Sequence, residues 1–247
     1  MLSVRGKVGI RIREFGGNDS TAFPAPYDFE AMSALPSGRS VSLDDRGRPL
    51  RLFVAVELPV SWKDALRREA QALDQAAPGF SRWVDASLLH LTVVFLGNQP
   101  PSRVASITGA LDNASSELAA FTLAPGLPGS FGGRGTVRVV WMGVEEEPRG
   151  ALGQLHDAVT RSLQQAGVGF DARPFAPHVT LARARRDAGP ADSVAIQRAL
   201  AGRPSWGNHL AQEERLAPCQ EITLVKSDLR PTGPVYTPLH RSVLARS

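Results

Sequence analysis

Two short segments of the chain repeat one pattern: His90-Leu91-Thr92-Val93 and His178-Val179-Thr180-Leu181. Each is a His-x-Thr followed by an apolar residue, inside a strand-like run. Side chains alternate faces along a strand, so His90 and Thr92 share one face, as do His178 and Thr180. Leu91, Val93 and Phe95 are expected on the opposite face, as are Val179 and Leu181. If the two strands are neighbours, two imidazoles and two hydroxyls converge on one cleft. That set suits phosphodiester chemistry: an acid, a base and two uncharged donors for phosphate oxygens.

The elements that position these groups are themselves repeated. The two histidines lie 88 positions apart. The same offset pairs Arg51-Leu52-Phe53-Val54-Ala55-Val56-Glu57 with Val139-Val140-Trp141-Met142-Gly143-Val144-Glu145, both short, apolar and β-prone. A helical pattern follows each. The first runs from about Ser61 to Ala76, with apolar Trp62, Leu66, Ala70 and Leu73. The second runs from about Arg149 to Gln165, with Leu152, Leu155, Val159 and Leu163, and Gly167 and Gly169 as stop signals. The chain therefore reads twice as strand, helix, strand with His-x-Thr. This predicts a pseudo-twofold cleft between two lobes. A structural duplication alone would keep apolar core positions more readily than a solitary histidine, so the matched pair is read as functional.

Other features narrow the classes. Cys219 is the sole cysteine, which excludes an intrachain disulfide and a cysteine-cluster metal site. No run of about 18 apolar residues is present, so no helical membrane span is expected, and the N-terminus lacks a secretory apolar core. A cytoplasmic location is the default expectation. The net charge is +4, and among the 28 basic residues only Lys7, Lys63 and Lys226 are lysines. Arginine presents a planar fork suited to phosphate, although GC-rich coding would give the same bias. A basic chain is compatible with an anionic, nucleic-acid-like partner. Gly133-x-Gly135 is no dinucleotide fingerprint, because Arg138 stands where the third glycine belongs. No Walker loop, His-Glu-x-x-His or nucleophile elbow is present.

Residues 1–48 read as a poorly ordered extension, and 49–247 as the two-lobed domain. Further along, a helix is expected over about Ser102 to Ala119 and a strand over Phe121-Thr122-Leu123-Ala124. The Gly/Pro-rich stretch from Pro125 to Gly135 reads as a mobile loop, from which Arg134 could reach a substrate phosphate. A helix is expected over Ala191 to Ala201, and Glu221–Ser227 and Val235–Leu244 form a C-terminal hairpin. His156 reads as a helix-surface residue. His209 reads as a loop residue, and His240 as lying on the last strand, neither with a partner motif.

The paired motifs resemble the 2H phosphoesterase superfamily, and within it the RNA 2′,3′-cyclic phosphodiesterases, also called 2′-5′ RNA ligases. Arg51-Leu52-Phe53-Val54-Ala55-Val56-Glu57-Leu58-Pro59 resembles that family's opening strand. His90-Leu91-Thr92-Val93-Val94-Phe95-Leu96-Gly97 and Pro177-His178-Val179-Thr180-Leu181-Ala182-Arg183 resemble its two motifs. Ser227-Asp228-Leu229 and Gly233-Pro234-x-Tyr236 are similar to its C-terminal hairpin. The resemblance implies an α+β fold: two pseudo-symmetric lobes of antiparallel strands with packed helices, the active cleft between them. It implies metal-independent chemistry with no cofactor, on RNA ends carrying a 2′,3′-cyclic phosphate, yielding a 2′-phosphomonoester. By the family pattern His90 is the proton donor, His178 the base, Thr92 and Thr180 the phosphate ligands, and Arg183 a further positive charge. A monomer is expected. Ligation, hydrolysis of small cyclic nucleotides and non-catalytic binding of RNA ends stay open as alternatives.

Overall fold

The computed structural model describes residues 47–245 apart from 134 and 232. The expected extension over residues 1–48 thus falls almost entirely outside the described residues. So does Arg134. In chain order the elements are β1 (Leu50–Glu57), α1 (Val60–Ala76), β2 (Ser81–Trp83), β3 (His90–Gln99), α2 (Val104–Ser116), β4 (Phe121–Gly133), β5 (Thr136–Glu147), α3 (Ala151–Gln165), β6 (His178–Ala184), α4 (Pro190–Leu200), β7 (Ala217–Cys219), β8 (Glu221–Arg230) and β9 (Gly233–Val243).

Among the described residues the strands make one sheet, ordered β7-β4-β5-β6-β3-β1-β8-β9, with β2 added beside β6. All these pairings are antiparallel. The two halves of the sheet touch through a single pair at the centre, Leu91 with Val179. Each half is one lobe, as the repeat predicts. The helices cover one face. On α1, Trp62, Ala65, Leu66, Glu69 and Leu73 are buried, the i, i+3, i+4 spacing of a single helical stripe. On α3, Leu152, Leu155, Val159 and Leu163 do the same. Their apolar side chains join Leu91, Val179 and Leu181 in the main core. The buried Glu69 carboxylate accepts from Arg203 Nη1 and His209 Nε2, each at 2.7 Å, and so ties α1 to the segment after α4. His209 is thus held by a buried acid, and His240 by Asp112 at 2.8 Å.

The repeat departs slightly from a straight offset. His90 pairs with Glu57, and His178 pairs with Gly143. The structural equivalent of Glu57 is therefore Gly143 and not Glu145. The second lobe carries two more residues between its first strand and its motif.

The stretch from Pro125 to Gly133 is strand, not loop: it continues β4 along β5. Past Leu123 this strand has β5 as its only ladder partner among the described residues, so the missing proline N–H groups cost no ladder bond on its other side there. Gly129 has a packing reason to be there. A Cβ on it would stand 2.2 Å from the Trp141 ring, which lies against the bare backbone. Two three-residue strands, β2 and β7, are too short to show a period in the sequence.

Candidate active site

The central Leu91–Val179 pair fixes the site. Continuing its antiparallel register by one residue sets His90 opposite Thr180 and Thr92 opposite His178. Leu91 and Val179 are fully buried on the helix side. The four motif side chains are half-buried and share the other face. In that register each threonine lies across from the other lobe's histidine on the shared face.

Both motif strands carry a bulge at the same place. Val54 pairs with Val94 and Ala55 with Thr92, leaving Val93 unpaired; Val140 pairs with Ala182 and Trp141 with Thr180, leaving Leu181 unpaired. An extra residue reverses the alternation beyond it. Phe95 therefore lies on the histidine face, contrary to the simple alternation, and packs with Phe53, Val225 and Tyr236 apart from the main core. Its counterpart in the other lobe, Arg183, is turned onto the same face.

The histidines are anchored identically. The Leu88 carbonyl accepts from His90 Nδ1 at 2.7 Å, and the Ala176 carbonyl accepts from His178 Nδ1 at 2.6 Å. A carbonyl can only accept, so Nδ1 carries the hydrogen in both rings and proton exchange is assigned to Nε2. Aromatic rings then fix each imidazole plane. Phe53 stacks on His90 at 4.8 Å and Tyr236 meets it edge-on at 5.4 Å. Phe131 meets His178 edge-on at 4.9 Å, with Trp141 at 6.2 Å. Sequence reasoning misses these four aromatics as site residues; the signal that could have found them is their place on strands flanking the motifs.

Burial between these rings disfavours charge on both histidines. It pushes His90 down to about 4, against the opposing Leu88 hydrogen bond, with Lys63, His178 and Arg183 adding repulsion. Burial and Arg183 lower His178 as well, against its bond to Ala176. Both rings therefore favour the neutral form at pH 7. Folding stability follows with a definite sign. Below about 6.5 an unfolded histidine takes a proton that folded His90 refuses until about 4. The contribution is full above the unfolded value and is lost as pH falls through this window. The depressed acids Asp85, Asp112 and Asp171 titrate below 3.8, outside it. The melting temperature is expected to fall more steeply between pH 6.5 and 4 in the wild type than in His90→Asn. Parallel curves by differential scanning fluorimetry would contradict this account.

His156 is not a plain surface residue. It stacks on Phe175 at 4.5 Å with ring planes 10° apart. Together with Thr92, Phe95 and His178 the pair lines a cavity of about 40 Å³ beside the cleft. Nothing in the sequence links His156 to Phe175, which sits on a loop. Among the described residues no three His, Cys, Asp or Glu side chains gather as a metal-binding group, and no helix is long and apolar enough to cross a membrane.

The site thus sits on an antiparallel sheet of two lobes, each presenting one His-x-Thr strand to a common face, the arrangement expected from the resemblance to 2H phosphoesterases. A family model described as the 2′-5′ RNA ligase superfamily matches residues 62–230. A Thermus thermophilus protein named RNA 2′,3′-cyclic phosphodiesterase is 32% identical over 198 residues, covering 78% of this chain and 89% of that protein. A Geobacillus stearothermophilus protein of the same name is 35% identical over 145 residues, covering 59% of this chain but only 45% of that longer protein. Among solved structures, Escherichia coli LigT complexed with 3′-AMP superposes with a TM-score of 0.58 at 26% identity, covering 81% of this chain and 99% of LigT. The chain belongs to the 2′-5′ RNA ligase superfamily.

Proposed function

We propose that this protein is an RNA 2′,3′-cyclic phosphodiesterase that opens cyclic phosphate ends to 2′-phosphomonoesters, with His90 and His178 as acid and base. One observation carries the reading. Two histidines on adjoining strands of two lobes are anchored through Nδ1 in the same way, each across from a threonine hydroxyl. In-line displacement at phosphorus needs this arrangement, with a base on one side and an acid on the other. The names of the relatives support the substrate class.

In the reaction, His178 Nε2 takes a proton from water as the water oxygen bonds to phosphorus. The bond from phosphorus to the ribose 3′ oxygen breaks, and His90 Nε2 delivers its proton to that oxygen. Thr92 and Thr180 hydroxyls donate to the non-bridging oxygens, and Arg183 offsets their charge. The free cleft supplies the base directly, since His178 is neutral there. It supplies the acid only after the substrate binds. The anionic phosphate opposes the repulsion from Arg183 and Lys63 and favours a proton on His90. The cavity beside His178 has room for the attacking water, with Thr92 and His178 as polar lining. The assignment of acid and base follows the family pattern, because the two halves are nearly equivalent.

The test is an oligonucleotide ending in a 2′,3′-cyclic phosphate, with its product read by phosphorus NMR. A terminal 2′-phosphate is expected, with turnover unchanged by EDTA. A dominant 3′-phosphate would reverse the placement of the sugar, and absence of turnover would remove the reading.

A further inference from the structure

The two ends of the cleft are structurally equivalent but chemically unlike. At the His178 end, the Phe95 carbonyl oxygen accepts from the Asp171 backbone N–H at 2.8 Å, and the Asp171 carboxylate is taken by Arg173. At the His90 end, the place of Phe95 is held by Arg183, and the strand beside it is β2, with Arg82 directly opposite Arg183. Directly opposed residues point to the same face, so two like charges stand side by side on the cleft face. Like charges directly opposite in a ladder repel, and an anion over the pair would be drawn to them.

The surroundings do not bring such an anion to Arg82. Trp83 turns to the helix side, where its indole donates to Asp74 at 2.7 Å; this pins β2 and occupies the Asp74 carboxylate. The Asp85 carboxylate is held by the Ser87 backbone N–H and hydroxyl. Among the described residues no carboxylate pairs with Arg82, whose side chain is exposed. Lys63 adds a further positive charge near His90.

We propose that Arg82 binds the phosphodiester on the 5′ side of the terminal nucleotide, so that the site selects RNA chains over cyclic mononucleotides. This rests on the proposed function, which puts the ribose 3′ oxygen by His90 and water by His178. The terminal ribose then lies toward His90, and the rest of the strand leaves over β2, where Arg82 stands. A phosphate there meets the Arg82 guanidinium on the same face as Arg183. A cyclic mononucleotide has no phosphate to place there.

Arg82→Gln separates the possibilities. Turnover of an oligonucleotide ending in a 2′,3′-cyclic phosphate should lose about tenfold in kcat/KM, mainly through KM. Turnover of a 2′,3′-cyclic mononucleotide should stay within about twofold. The slope of log kcat/KM against log salt for the oligonucleotide should become shallower by about 0.7, one phosphate contact on a single strand. The melting temperature should not fall, because Arg82 is exposed and pairs with no carboxylate among the described residues. Binding of an oligonucleotide ending in a 2′-phosphate, followed by anisotropy, should weaken by the same factor whether or not turnover is seen. That measurement keeps the site testable if the cyclic phosphodiesterase reading fails. Equal losses on both substrates, or unchanged oligonucleotide binding and salt slope, would overturn the proposal.

Discussion

Replacing His90 or His178 by alanine is expected to slow turnover of a cyclic-phosphate-ended oligonucleotide by about 10²–10⁴-fold each, the usual worth of one positioned proton transfer. The loss should fall on kcat more than on KM, since neither ring is needed to hold the phosphate in the ground state. The double variant should be little worse than the weaker single one, because the two transfers serve one displacement and their effects do not add. The pH profile distinguishes the roles. Loss of the base should abolish the acid-side limb of kcat/KM, and loss of the acid the alkaline limb. Both rings are half-buried among aromatics, so near-native circular dichroism must accompany the kinetic loss. Near-wild-type rates in either well-folded variant would remove the acid–base pair.

The parts of this site legible in the sequence are those with a repeated local signal. Strand, helix and His-x-Thr strand recur at a nearly constant offset, and the structure puts them in two matched lobes joined at Leu91 and Val179. A bulge adds one residue without altering composition, so Val93 and Leu181 read as ordinary alternation and Phe95 is assigned to the wrong face. The β4 extension is hidden because proline and glycine usually end strands; here an edge position and the Trp141 ring over Gly129 make both acceptable. The aromatic rings around the histidines come from strands far apart in the chain. Phe53 and Tyr236 are brought together only by the order β1-β8-β9. Local periodicity carries no information about such contacts, nor about the Arg82–Arg183 pairing across β2 and β6.

The hydroxyls make the second large prediction. Thr92→Val and Thr180→Val keep the shape and β-branching of the side chain while deleting its donor. Each is expected to lower kcat by about 10²-fold, the lower end of what removing a donor aimed at a developing oxyanion costs. Thr92→Ser and Thr180→Ser should stay within a few-fold of wild type, because the Oγ–H is kept. A purely structural role for the threonines would give the opposite order, since valine suits a strand better than serine. The register sharpens the expectation. By the register of the Leu91–Val179 pair, Thr92 lies across from His178 and Thr180 across from His90, so under the proposed function the two hydroxyls would approach phosphorus from opposite lobes and meet different non-bridging oxygens. Their losses should then multiply in the double valine variant. A double variant no slower than either single one would mean that both hydroxyls serve one oxygen, and equal behaviour of serine and valine would remove them from the phosphate site.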